Sequence, residues 1–241
     1  MTQITQQNWP AFQALNRHRR AIRKFNTTSI ADEDIQELLV EAMLAPSSGN
    51  LQPYQLNWIR STDIKTEIAK ACHGQQAAST AAEIVVISAS AAIAKHTVAE
   101  QLAYVEASTS LESKSKAYYR KQLGMFNKVL GIGASAIWIP LIYIASLIRP
   151  SLSLLPIGSI GSRNWAARNA IFAAQTIMLA AASKGIDSCP MEGFSASKIV
   201  KLLNLPRGTV IPIVIALGYR AADARIETQW RRKLSDVLVT H

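Results

Sequence analysis

The stretch GIDSCPMEGF at 185–194 joins two apolar segments and carries its charges only at Asp187 and Glu192. Before it, 162–184 runs from SRNWAARNAIF to LAAASK with the alanine content and spacing of one long helix. Gly185 stands where such a helix ends, since glycine enters the left-handed region without a Cβ penalty. The hexapeptide CPMEGF then reads as a short loop, for which a plain surface turn is the simplest account. After it, 194–203 reads as a further helix and VIPIVIALG at 210–218 as a buried strand. Pro212 marks a strand start or an edge, because proline cannot donate to a ladder.

Working outward, residues 31–45 place Ile35, Leu38, Leu39, Ala42 and Met43 at helical spacing. Ser29 with Asp32 three residues later has the form of a capping box. Pro46 stops that helix, and SSGNLQP is loop-like. Tyr54 to Ile59 reads as a short strand and EIVVIS at 83–88 as a stronger one, being β-branched and bounded by polar residues. Residues 95–123 are helical in composition. Helices, strands and a last apolar strand in this order predict an α/β protein with helices packed on a central sheet. No internal repeat is evident.

A chain of 241 residues with 49% hydrophobic and 17% charged residues has the composition of a globular protein with a sizeable core. Two cysteines, Cys72 and Cys189, make no disulfide framework, and the four histidines show no metal-ligand spacing. Both features favour a reducing, cytoplasmic setting, as does the polar opening MTQITQQNWP, which lacks the apolar core of a secretory signal. The formal charge of +10 gathers in RHRRAIRK at 17–24, along 114–128 and in RRK at 231–233. Such charge suits nucleic acid, a phosphorylated cofactor or a plain solvated surface, and no zinc-finger spacing or basic zipper accompanies it.

The twenty residues from Val129 to Ile148 carry no charge, about the length of a membrane span. Gly131, Gly133, Ser135 and Pro140 interrupt them, however, and a span here would set two basic halves on opposite sides of a bilayer. The expectation is a buried helical insertion, or an apolar surface covered by a partner subunit, and no span. RRAIRKF at 19–25 crowds Arg19, Arg20 and Arg23 together, and guanidinium forks suit phosphate and carbonyl oxygens. A solvated basic end to a first helix is the alternative. APSSGNLQP at 45–53 collects Ser47, Ser48, Asn50 and Gln52 as polar groups in one loop. Neither a GxSxG elbow nor a Ser-His-Asp arrangement is present; His18 and His73 lie near these stretches without an assigned role.

Taken in order, RRAIR, APSSGNLQP, GIDSCPMEGF and VIALGYR at 214–220 resemble the motifs of the nitroreductase family over roughly residues 16–233, and WAARNAIFAAQ at 165–175 resembles its long core helix. The resemblance implies an α/β fold with a mixed sheet flanked by helices, an intertwined homodimer, and FMN at the dimer interface. It implies that Arg19, Arg20, Ala21 and Arg23 hold the FMN phosphate, ribityl chain and polar ring edge. Ala21 departs from the hydroxyl residue usual there, so only its backbone could serve. Pro46, Ser47, Ser48 and Asn50 would approach the flavin from the other subunit, Gln75 would contact the ring, and Arg231 and Lys233 would reach the phosphate. Pro190 and Met191 would wall the cleft, and an N–H of Glu192 or Gly193 would bond flavin N5. The absence of a GxGxxG fingerprint excludes nothing here.

The implied activity is ping-pong hydride transfer from NADPH or NADH to a small planar acceptor, a quinone or a nitroaromatic. Enone reduction, dehalogenation or flavin fragmentation are family alternatives, and residues 124–160 would form a lid whose Trp138 and Tyr143 help to choose the acceptor. A basic protein binding nucleic acid or an anionic membrane surface is the competing class, but it leaves APSSGNLQP and GIDSCPMEGF without a purpose.

Overall fold

A computed structural model describes residues 8–132 and 138–241. Its order is α1 (Asn8–His18), α2 (Asp32–Ala42), β1 (Tyr54–Ile59), α3 (Thr62–Ala71), α4 (Gln76–Ser79), β2 (Glu83–Ala89), α5 (Ala91–Ala107), α6 (Ser113–Gly131), α7 (Trp138–Ile148), α8 (Gly158–Ser183), β3 (Asp187–Met191), α9 (Ala196–Leu202) and β4 (Val210–Gly218). Gly133, Ser135 and the Trp138 side chain, part of the uncharged segment singled out above, lie outside the described residues.

The four strands form one sheet in the order β1-β2-β4-β3, antiparallel at every step. Its parallel component is a single bridge, Ala21 to Ser188, on the outer edge of β3. The two central strands carry Ile84, Val85, Val86 and Ile87 against Ile213, Val214, Ile215 and Ala216, all buried. Because side chains alternate along a strand, this run feeds two cores. Val85, Ile87, Ile213 and Ile215 face α2, α5, α6 and α8, while Ile84, Val86, Val214 and Ala216 face α3, α4 and α9. The result is three layers, helices on both sheet faces.

Pro212 sits at the start of β4, in the central part of the sheet. There Ile87 and Ala89 of β2 oppose Ile213 and Val210, so β4 holds one extra residue at a bulge. The alternation slips with it: Ile211 and Val214, three apart, face the same core. A bulge is where a central strand accommodates a residue with no N–H.

Helix α8, 26 residues and about 39 Å long, packs on the sheet through Trp165, Ala166, Ala170, Ala173, Ala174 and Ile177. Its end is a full Schellman motif. Gly185 (φ +72°) donates to the Ala182 carbonyl at 3.1 Å, and Ile186 donates to Ala181 at 2.9 Å before entering the core.

Three expectations are corrected. The capping box at Ser29 does not form: α2 begins after Ala31, with no side-chain cap, and Asp32 pairs with Arg60. Asp32, Glu33 and Asp34 serve the helix N-terminus through their charge instead. The helical stretch 95–123 is two antiparallel helices, broken where Ser108 turns extended and its hydroxyl accepts from Leu111 N–H at 3.3 Å. CPMEGF is not all loop, since Cys189, Pro190 and Met191 are residues of the edge strand β3.

Candidate functional site

The outer edge of β3 carries the first half of the site. Residues of an antiparallel strand alternate between bonding their neighbour and pointing away from it. Ser188 points away from β4, and its carbonyl accepts from Ile22 N–H at 3.0 Å. Two residues on, Pro190 occupies the same outward register, where its missing N–H costs no ladder bond. The next outward donor is Glu192 N–H. Neither it nor Gly193 N–H bonds any described residue, and both residues are exposed. Met191 is 2% exposed, so its side chain closes the second core and does not wall a cleft.

Gln75 anchors this turn, its Nε2 donating to the Gly193 carbonyl at 2.6 Å. It immediately precedes α4, after a tight turn in which His73 and Gly74 have positive φ. A Cβ built on Gly193 would meet that Gln75 amide at 3.3 Å and nothing else within 4 Å. The space beside Gly193 is therefore open to a ligand.

The arginine stretch lies along the same edge. Helix α1 stops at His18, Arg19 N–H closes its last turn on the Leu15 carbonyl at 3.0 Å, and Arg20 to Arg23 lie beyond the helix. Ile22 and Phe25 turn into the core, leaving Ala21 and Arg23 exposed. Arg20 donates to the Glu227 carbonyl. Arg19 and Arg23 have no side-chain partner among the described residues. Arg23 lines a cleft of about 370 Å³ with Lys24, Gln76, Asp223, Arg225 and Glu227. Within it Lys24 pairs with Asp223 and holds that carboxyl below its ordinary range. Burial pushes the Cys189 thiol up, and the nearby Arg23 charge partly opposes this.

The second half is built on the other face of the sheet. Pro46, Ser47 and Ser48 line a cleft of about 570 Å³ with Trp165, Arg168, Asn169 and Phe172 of α8. Ser47 Oγ accepts from Gln52 N–H at 3.0 Å, and Ser48 N–H donates to Asn169 Oδ1 at 2.7 Å. Asn169 is 6% exposed and donates from Nδ2 to the Trp165 carbonyl at 2.7 Å. Gln101 holds the Asn50 carbonyl from α5. Asn169 was not singled out from sequence. Its signal was there, a polar residue on the buried stripe of an alanine-rich helix, which must find partners.

One chain thus brings Arg19, Arg20, Ala21, Arg23, Gln75, Pro190, Glu192 and Gly193 to one sheet edge. It does not bring Pro46, Ser47, Ser48 and Asn50 to them. Arg231 and Lys233 lie on the exposed C-terminal tail beyond Glu227, where Arg231 bonds the Trp230 carbonyl. The edge offers free guanidinium groups, outward peptide N–H groups and an open space over glycine. That donor set fits an anionic ligand with a flat, hydrogen-bond-accepting ring, as FMN is. No described His, Cys, Asp or Glu side chains group as metal ligands.

Among curated proteins, the chain is 26% identical over 223 residues to MhqN of Bacillus subtilis, covering 92% of this chain and 94% of that one. An NADH dehydrogenase of Thermus thermophilus is 23% identical over 205 residues, 85% of this chain and 84% of that one. Among solved structures, ydfN of Bacillus subtilis superimposes with a TM-score of 0.76 at 22% identity, covering 96% and 99% of the two chains. The sequence model described as "Nitroreductase family" matches residues 17–219. With that match spanning most of its length, and the fold shared, this chain belongs to the nitroreductase family.

Proposed function

We propose that the protein is an FMN-dependent NAD(P)H oxidoreductase that reduces quinone or nitroaromatic acceptors by a ping-pong mechanism. The observation that carries this reading is the outward Glu192 N–H, unpaired, in a turn clamped by Gln75 and flanked by unpaired Arg19 and Arg23. Bound FMN would supply the redox chemistry, taking hydride from a nicotinamide and passing it to the acceptor. The chain's own work is positioning. Arg19, Arg20 and Arg23 hold the phosphate, ribityl chain and ring edge, Gln75 fixes the Gly193 peptide, and Glu192 or Gly193 N–H donates to the ring. Glu192 projects an exposed carboxylate, which would hold the loop or order water near the nicotinamide.

Pro46, Ser47, Ser48 and Asn50 complete the site from a second copy, which makes the working unit a homodimer. Their separation from the arginine edge within one chain supports this arrangement. Arg231 and Lys233 would reach the phosphate. A nicotinamide donor is supported by the name of the Thermus relative. The lid over the acceptor is 124–160, with Tyr143 contributing to acceptor choice.

The test is direct. Purified protein should be yellow, with a flavin band bleached anaerobically by NADPH or NADH and restored by menadione or a nitroaromatic. Colourless protein that neither takes up FMN nor oxidises either nicotinamide overturns the reading.

A further inference from the structure

Helix α7 has two different sides. Ile142, Ala145 and Ser146 are half-buried, Ile142 lying over Gly158 at the start of α8, where a Cβ would meet it at 3.2 Å. Leu141, Ile144, Leu147 and Ile148 fall on the other side, at i, i+3, i+6 and i+7, and are 56, 56, 66 and 77% exposed. Exposed Leu154 and Leu155 follow shortly after. A contiguous stripe of this kind marks a surface that something covers.

The flanking charge says what. Helix α6 carries Lys114, Lys116, Arg120, Lys121 and Lys128 and no acidic residue, α7 carries no charge, and Arg149 follows it. Glu106 engages Arg120 and, through its carbonyl, Lys116, whereas Lys114, Lys121 and Lys128 pair with no described carboxylate. Tyr118, Lys121, Met125 and Lys128 share one face of α6, along an open cleft of about 840 Å³. The two helices meet at Gly158, which donates to the Ile132 carbonyl at 3.0 Å while packing under Ile142. Lys128 is one helical turn, about 6 Å, before Ile132. Lys128 and α7 thus approach the same Gly158 contact from two sides.

We propose that the α6–α7 face docks the protein on an anionic lipid bilayer, with the Leu141–Ile148 stripe in the interface and Lys121 and Lys128 on the headgroups. Eleven residues make a helix of about 16 Å, half the hydrocarbon thickness, so α7 lies in the surface and does not cross. Among the described residues no helix is long and apolar enough to span. A second copy is the poorer occupant, because its α6 and α7 would bring more basic residues and no carboxylate to this face. The inference does not rest on the flavin reading, and it concerns the same 124–160 segment proposed above as the lid.

The test is co-sedimentation of the purified full-length protein with phosphatidylcholine vesicles, with and without phosphatidylglycerol. Binding is expected to the anionic vesicles, weakened by salt. Ile144→Glu with Leu147→Glu should lower partition at least tenfold. Each basic residue at an anionic surface is worth about fivefold, so Lys121→Glu with Lys128→Glu should cost at least tenfold too. Both variants should keep the wild-type Tm. Absence of sedimentation with either vesicle overturns the proposal, as does binding that the glutamates leave intact. So does a glutamate variant that changes oligomeric state by light scattering while vesicle binding is unchanged, since the stripe would then be a self-association surface.

Discussion

The Gln75 amide holds the Gly193 carbonyl at 2.6 Å from a position 118 residues away in sequence. If the Glu192 and Gly193 N–H groups meet the flavin, their aim depends on this bond. A net hydrogen bond is worth about 1 kcal/mol, so Gln75→Ala should weaken FMN affinity about fivefold with little change in Tm. Gly193→Val fills the open space and displaces the amide. It should lower flavin content or slow flavin reduction, whereas Glu192→Gln should do less. Normal flavin content and reduction rate in Gly193→Val would show that the ring lies elsewhere.

Asp187 and Arg220 join two of the sequence motifs. Asp187 Oδ1 accepts from Arg220 Nη2 at 2.6 Å, and Oδ2 accepts from Nε at 2.7 Å and from the Arg220 backbone N–H at 3.1 Å. The pair raises the Arg220 pKa and staples the start of β3 to the chain leaving β4. Arg220 is partly exposed, which moderates the loss. Asp187→Ala should cost roughly 2 kcal/mol in urea unfolding, and Asp187→Asn about half of that. A double-mutant cycle with Arg220→Ala should return a coupling of about 1 kcal/mol or more.

Gly49 has φ +63°, and a Cβ there would lie 2.4 Å from Phe126 Cε2. Two costs combine in Gly49→Ala: about 1 kcal/mol or more for the left-handed backbone, and displacement of the ring. The expected total is about 2–3 kcal/mol by denaturant titration. In a Phe126→Leu background the steric share should fall away, leaving about 1 kcal/mol. Equal penalties in both backgrounds would mean that the ring yields freely.

Cys72 is fully buried, and burial pushes its thiol from 9.0 up to about 11. Between these values the unfolded chain loses the proton and the folded chain keeps it. Stability is therefore unaffected below about pH 9 and falls as pH rises toward 11, by up to about 3 kcal/mol. Cys189 and Tyr54, also raised by burial, act in the same direction. Cys72→Ala should reduce the slope of Tm against pH in this window and leave it unchanged near neutrality. An unaltered slope would assign the alkaline loss to other groups.

The strand from Glu83 was legible because a β-branched run between polar residues has few other folds, and the shorter strand Tyr54–Ile59 was read beside it. The end of α8 was legible because Gly185 is the one residue there that enters the left-handed region cheaply. By contrast, β3 was hidden by Pro190. Whether proline breaks a strand depends on which way its nitrogen points, and the partner strand decides that. Met43, read with the core stripe of α2, lies past its end and is 48% exposed. The arginine edge was legible as residue types in order, but Asn169 was not, because its value lies in Ser48 N–H, 121 residues away. Pattern reports what a segment prefers locally and carries no record of contacts made across the chain.

The contacts that build the arginine edge all close long loops: Gln75 reaches Gly193 across 118 residues, and Arg20 finds Glu227 across 207. Loop-closure entropy delays such contacts until nearer ones have formed. During synthesis Arg20 cannot be held until almost the whole chain has been made. The Arg20 tie is therefore among the last contacts this chain can make, and a chain truncated before Glu227 lacks one of the ties that hold these arginines in place.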